Sequence, residues 1–487
     1  MKKKVALIGS GFSSLAASAY LAKAGFEVTV FEKNTSIGGR ASVFRKDGFM
    51  FDMGPTWYWM PDVFEKFFAD FDRKPSDYYV LERLDPAYKV YFGKDEDLTI
   101  SGYLDQILAL FEKEEPGSAA HLERFLKMAR KNYGIAVEKM VYLPGKSPLE
   151  LVNGQTITRV NQFFGTIRTQ VRKRIKNKKL VQLLEFPILF LGAKPDNTPG
   201  FYNFMNWADF GLGTWHPKGG MSEVISAMTA LAVELGVNFK TGIAIDEIRI
   251  ENGITTGLVA QGEFFDADIV LSGADYHHTE KLLPPEYRQY SEKYWDKRVL
   301  APSSLLFYIG FDTKLPNVEH HTLFFDTDFD IHAQAIYDNP AWPEQPLFYG
   351  SFPSKTDTAF APEGCEAATF LIPLAPDLED TPKLRERYFH KIMDRFEDLT
   401  DFKARDHIIF KKSFCVNDFK SEYNSYKGNA YGLANILTQT AFLRPKIQSG
   451  KVSNLFFTGQ LTVPGPGVPP SLISGKIASE LIQKSSA

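Results

Sequence analysis

Directly after an apolar run and directly before a helical pattern, "GSGFSS" sets Gly9 and Gly11 two residues apart. Gly9 suits a tight turn, and Gly11 lets backbone approach a pyrophosphate with no Cβ in the way. The amides of Phe12, Ser13 and Ser14 then open a helix whose positive end faces the phosphates. Ser14 stands where the motif expects a third glycine; serine is small enough for close helix-to-strand packing, so the departure weakens the motif without removing it. Glu32, with Lys33 beside it, falls about 20 residues further on, where a carboxylate accepts hydrogen bonds from ribose hydroxyls and disfavours a 2′-phosphate. This chemistry is recognition of a dinucleotide.

The elements that must position these groups read as a βαβ unit. "KVALIGSGFSSLAASAYLAKAGFEVTVFEK" gives a strand, a glycine turn, a helix rich in small residues and a second strand ending at Glu32. The chain then turns irregular and largely helical from Pro61 to about Met205. "GTWHPKGGMSEVISAMTALAVELGVNFKTGIAIDEIRI" restores the pattern with a helix from about Ser222 and strands ending near Ile250. "ADIVLSGAD" adds a buried-strand candidate, and "SSLLFYIGF" and "EAATFLIPL" predict a further sheet. "NLFFTGQLTVPGPGVPPSLISGKIAS" closes with a strand, a rigid turn from Pro464 to Pro470 and a helix from about Ser471. The expected fold is α/β: a discontinuous Rossmann-like cofactor domain over 1–70, 206–290 and 440–487, a helical insertion over 71–205 that contacts substrate or membrane, and a mixed α+β substrate domain whose sheet spans 291–439.

Composition narrows the function classes. The 487 residues exceed one simple core. A net charge of −3 argues against nucleic acid as a partner. Cys365 and Cys415 are far apart and form no CxxC, so no disulfide framework or Cys-based metal site is expected, and a reducing compartment fits. The aromatic content of 14%, led by 41 Phe, suits a large apolar cavity as well as ordinary cores. "MKKKVALIGSG" starts like a signal peptide, but its apolar run is too short for one and reads as a strand.

Just past Glu32, Gly38, Gly39 and Arg40 form an arrangement that resembles the glycine-glycine-arginine signature of the FAD-dependent amine oxidase and desaturase superfamily. "DMGPTWYWMPDVF", "DPAYKVYF", "LLEFPILFLGAKPDNTPGFYNFMNWADFGLGTWHPKGGM", "YNSYKGNAYGL" and the closing stretch extend the likeness, over nearly the whole chain, to the bacterial phytoene desaturase family of carotenoid biosynthesis. The resemblance implies FAD, with Gly39, Arg40, Gly54, Pro55 and Thr56 along the cofactor and Ile245 reading the adenine through its backbone. It places Gly459, Gln460, Gly467, Val468 and Pro469 against the flavin, where the rigid turn presses on the ring and the last helix aims its positive end at the reduced flavin's anionic edge. Gln460 stands where many flavoproteins carry an acidic residue; its amide can still bind ribityl hydroxyls. The implied activity is stepwise desaturation of phytoene to lycopene. Alternatives are a 1-hydroxycarotenoid 3,4-desaturase and, more distantly, an FAD amine oxidase or a non-enzymatic chaperone like the GDP-dissociation inhibitors. Trp57, Tyr58, Tyr202, Trp207 and His216 are candidates for a substrate pocket beside the ring.

No GxSxG, HExxH or metal-ligand spacing of histidines occurs, and no catalytic acid or base is identified. That fits chemistry in which the cofactor accepts a hydride from an oriented hydrocarbon; oxygen or a quinone would reoxidise it. "RTQVRKRIKNKKLVQLLEFPILFLG" is too short and broken to span a bilayer, but suits the surface of an anionic one, basic part on headgroups and apolar part dipping in. The expected location is cytoplasmic, at the inner face of the cell membrane.

Overall fold

The computed structural model describes residues 2–151 and 165–486. Its organising layer is a five-stranded parallel sheet in the spatial order Leu455–Phe457, Ile269–Ser272, Lys4–Ile8, Glu27–Glu32, Asn238–Thr241. Strands from three distant parts of the chain make it, because a parallel sheet must be covered on both faces and each crossover consumes many residues. The period-two rule shows in the first strand. Val5 and Leu7 pack with Ala17, Leu21, Ile473 and Ile477 of the helices Phe12–Lys23 and Val468–Ser486. Ala6 and Ile8 face the other way, onto Ile248 and Leu258 of a three-stranded antiparallel sheet.

The first and last helices cross closely. A Cβ built on Gly475 would lie 2.3 Å from the Ser13 carbonyl and 2.9 Å from the Ala17 amide, so only glycine permits this approach. The last helix begins at Val468 rather than near Ser471. Pro469 and Pro470 therefore occupy its first turn, where the missing N–H groups would have had no partner.

A seven-stranded sheet forms the second layer, in the order Ile408–Phe414, Ser303–Phe311, Glu366–Leu374, Phe348–Ser351, His321–Phe324, Tyr88–Gly93, Glu96–Ile100. "SSLLFYIGF" and "EAATFLIPL" pair antiparallel along their full length. Leu305, Phe307 and Ile309 pack on Phe389, Ile392 and Phe396 of the helix Pro382–Thr400, while Leu306 and Tyr308 face Phe49, Phe51 and Phe360. The hairpin Tyr88–Ile100 lies inside the 71–205 stretch read as a helical insertion, yet it extends this sheet through Leu323 opposite Val90. A short hairpin carries no crossover of its own to reveal which sheet it joins. Residues 152–164 of that insertion lie outside the described residues.

Candidate functional site

One cavity of about 630 Å³ runs from the glycine turn of the first strand to the inner face of the seven-stranded sheet. Its volume falls within the range of small-molecule and cofactor sites. Gly9, with φ +86°, makes the turn after the first strand, and its amide donates to the Phe31 carbonyl. Gly11 precedes the helix, and an added Cβ there would meet nothing within 4 Å, so the space beside it is free for a ligand. Ser14 is fully buried, and a Cβ on Gly273 would lie 2.0 Å from its Oγ. The glycine missing from the motif is thus supplied by the neighbouring strand's end.

Glu32 is buried at the end of its strand, accepting from the Ser10 amide at 2.9 Å, the Ser10 hydroxyl at 2.7 Å and the Asn34 amide at 2.9 Å. Its carboxylate is held at the cavity edge beside Lys33. Ile245 lies in the same wall, in the loop after the strand Asn238–Thr241 rather than in the strand itself.

Arg40 is a half-buried cation of the site. Its Nη2 donates to Ser425 Oγ at 3.0 Å and the Asn429 carbonyl at 3.4 Å, its Nε has no partner, and it lies 5.5 Å from the Tyr423 ring centre. Burial lowers its pKa, with the nearby Asp275 acting the other way. Gly54 packs on it: a Cβ there would lie 2.0 Å from the Arg40 carbonyl oxygen. A guanidinium whose partners are all uncharged, beside open backbone at Gly11, fits an anionic dinucleotide.

Phe12, Ser13, Gly39, Pro55, Thr56, Gly459, Gln460, Gly467, Val468 and Pro469 all border the same cavity. Gly459 has φ +105° and its amide donates to Ser474 Oγ at 3.0 Å, which ties the last strand to the last helix. Behind the rigid turn sits Arg444, fully buried, donating to the Gln460 carbonyl at 3.2 Å and the Leu433 carbonyl at 3.1 Å. Burial pushes Arg444 down to about 10.

The substrate-pocket candidates separate. Trp57 borders the cavity, stacked on His321 with ring centres 4.1 Å apart. Tyr58, its neighbour on an extended segment, faces away: it is buried, stacks on Phe64 and shares a 2.7 Å hydrogen bond with Tyr79. Tyr202 is bonded to Thr440, Trp207 sits under Arg130, and His216 is buried 3.0 Å from Asp357; none of these borders the cavity. Phe186, Phe325, Phe329, Leu347 and Ile336 form its apolar wall instead. His332 joins them. Its Nε2 donates to the Pro373 carbonyl and its Nδ1 accepts from the Leu347 amide, both at 2.9 Å, and burial pushes it down to about 4. The helical spacing of Phe329, His332, Ala333 and Ile336 in "FDIHAQAIY" was the available signal, but only folding shows that this buried face looks into a cavity. His277 and His278 lie on a short helix capped by Asp275; His278 and Asp275 border the cofactor end.

Comparison with known proteins agrees with this architecture. Residues 12–483 match the family described as flavin containing amine oxidoreductase. Solved structures share the fold: an oxidoreductase from Methanosarcina mazei (TM-score 0.64, 18% identity, covering 98% of this chain and 100% of that one) and putrescine oxidase bound to putrescine (TM-score 0.62, 14% identity, 99% of each). The fold and cavity define an FAD-dependent oxidoreductase. Among curated proteins, the chain is 41% identical to a carotenoid 3,4-desaturase of Haloarcula japonica over 98% of this chain and 97% of the relative. It is 33% identical to a zeta-carotene-forming phytoene desaturase of Myxococcus xanthus, over 98% and 93%. It is 31% identical to a 4,4'-diapophytoene desaturase of Staphylococcus haemolyticus, over 98% of each. The chain belongs to the carotenoid desaturase family of flavin-containing amine oxidoreductases.

Proposed function

We propose that the protein desaturates an acyclic carotenoid hydrocarbon, taking phytoene stepwise to lycopene. The observation that carries this reading is the cavity beyond Trp57: Phe186, Phe325, Phe329, Leu347 and Ile336 wall it, and the polar atoms of His332 are spent on the protein itself. Shape and apolar contact then hold the chain. FAD supplies the hydride acceptor when bound; Arg40, Glu32 and the open backbone at Gly11 would hold its charged and ribose groups. The protein's own share is to orient the hydrocarbon against the Gly459–Gln460 wall and exclude water. In this reading 1–70, 206–290 and 440–487 bind the cofactor, and the sheet of 291–439, extended by the hairpin Tyr88–Ile100, binds substrate.

A second reading, desaturation at the 3,4 position of a hydroxylated carotenoid, draws on the 41% identical relative and on Tyr337. This tyrosine borders the cavity, and its buried hydroxyl has no partner, which suits a substrate hydroxyl. Cells that make only phytoene, given this protein, are expected to accumulate coloured, more conjugated products. If they stay colourless while a 1-hydroxycarotenoid is desaturated at its 3,4 position, the second reading replaces the first.

A C40 chain opposes transfer to water by roughly 30 kcal/mol at about 0.8 kcal/mol per methylene, so substrate is taken up from lipid at the inner membrane face. Among the described residues, no helix is long and apolar enough to cross a membrane. Leu180, Leu183, Leu184, Phe186 and Ile188 of the segment read as dipping into lipid are buried in the protein, which leaves its basic half for headgroups. Oxygen or a quinone remains the proposed electron acceptor.

A further inference from the structure

Desaturation removes a proton as well as a hydride, and the cavity holds a pair suited to the proton. Leu323 and Tyr349 are directly opposed on neighbouring antiparallel strands, which makes His321 and Tyr349 diagonal neighbours on one face. The Tyr349 hydroxyl lies 2.6 Å from His321 Nδ1 and 2.9 Å from Thr56 Oγ1. Tyr349, Thr56 and Trp57 border the cavity where its cofactor end meets its apolar wall. His321 lies behind Tyr349, stacked on Trp57, with its Nε2 lacking a partner.

We propose that Tyr349 is the catalytic residue that receives the substrate's proton, with His321 as the positioning residue that takes the hydroxyl proton in exchange. One C–H bond of the carotenoid gives its proton to the Tyr349 oxygen as the Tyr349 proton moves to His321 Nδ1. The electron pair of that bond becomes the new C=C bond, and the adjacent carbon loses a hydride to the bound flavin. Two hydrogens leave the substrate, two electrons reach the flavin, and the positive charge left on His321 balances the negative charge of the hydride. This assignment rests on the desaturase reading.

The neutral ring leaves a lone pair for the Tyr349 hydroxyl. Burial, with His216 nearby, keeps His321 neutral by lowering its pKa well below the ordinary histidine range, and the same burial makes the charge it accepts a transient one. His320 follows at 4.5 Å between ring centres, then His216 at 4.7 Å from His320, and His216 Nε2 lies 3.0 Å from Asp357. The buried row of His321, His320 and His216 thus ends on a carboxylate. Tyr349, His320 and His216 are the titratable groups around His321, Asp357 reaches it only through His216, and Tyr431 acts on Tyr349.

The test uses the FAD-loaded full chain. Tyr349→Phe is expected to keep flavin content and the KM for the carotenoid while lowering kcat by about a hundredfold, in the range of general acid–base catalysis. His321→Gln is expected to lower kcat similarly and to abolish the fall in rate on acidification expected of wild type well below the ordinary histidine pKa of about 6.5. Should Tyr349→Phe fail to load flavin, His321→Gln is read in its place. A rate within threefold of wild type in a loaded variant, or a change confined to KM, overturns the proposal. ¹⁵N-histidine NMR of the protein without carotenoid tests the pair independently of substrate identity. His321 Nδ1 without a proton supports the proposal, and Nδ1 carrying one overturns it.

Discussion

Arg40 and Gln460 meet at the cofactor end of the cavity. With its amide oxygen turned toward the guanidinium, the orientation that satisfies both ends, Gln460 accepts from Arg40 Nη2 at 3.1 Å, Nη1 at 3.3 Å and the Gly432 amide at 3.2 Å. The amide thus does for Arg40 what an acidic residue would do, without neutralising it. The guanidinium keeps its charge, as the proposed cofactor contact requires. Arg40→Met is expected to weaken FAD binding by roughly 10- to 100-fold, since hydrogen bonds to a charged group contribute about 1.5–3 kcal/mol. Fluorescence titration of apoprotein with FAD measures this; an unchanged Kd would place the charge elsewhere.

Two glycines separate cofactor binding from folding. Gly11→Val adds a side chain into open space and is expected to give a folded but colourless protein, with a change in stability no larger than a helix cap's ~1 kcal/mol. Gly475→Val pushes into the Ser13 carbonyl and Ala16, and is expected to cost 1–3 kcal/mol or more as overpacking. Flavin absorbance and thermal melting of both proteins distinguish the two effects. Full flavin in Gly11→Val contradicts the pyrophosphate assignment.

Binding to anionic membrane is testable at the exposed charges of the basic segment. Arg172 is spent on buried Glu185, its Nε 2.8 Å from Oε1 and its Nη2 3.0 Å from Oε2, so changing it damages the fold. Lys173, Arg174 and Lys178 are exposed. Changing these three to Glu is expected to weaken vesicle binding by about 1 kcal/mol or more per residue with flavin content unchanged. Flotation with phosphatidylserine vesicles reads the outcome, and unaltered flotation removes this segment from the interface.

A buried acid near the aromatic wall gives a pH signature. Asp209 accepts from the Tyr88 hydroxyl at 2.9 Å, and burial pushes its carboxyl up to about 8, against the Tyr88 and Thr214 hydrogen bonds. Its folded pKa lies above its unfolded value of about 3.9, so the folded state binds the extra proton. The stabilisation is full below pH 4 and is lost as pH rises toward 8, by at most about 1.4 kcal/mol per pH unit. Asp209→Asn has no such proton. Its melting temperature relative to wild type is expected to rise between pH 5 and pH 8, and a constant difference would contradict the assignment.

The sequence by itself determined the local pieces. Gly9, Gly11 and Glu32 lie within one βαβ unit, where strand, turn and helix are written in neighbouring residues, and the structure builds that unit as read. The prolines and glycines from Pro464 to Pro470 likewise announce a rigid turn, displaced only in where its helix starts. The tertiary structure alone decided the cavity wall. Trp57 and Tyr58 are adjacent in one motif, yet alternation along extended chain sends one to the cavity and the other into the core. Tyr202, Trp207 and His216 carry suitable side chains, but helix and strand packing turns them to Thr440, Arg130 and Asp357. Conversely, Tyr349 and His321 stand 28 residues apart, and nothing local marks them as a pair. Strand register brings them together, and register is fixed by long-range pairing and burial of a whole sheet face, which no short window of residues encodes.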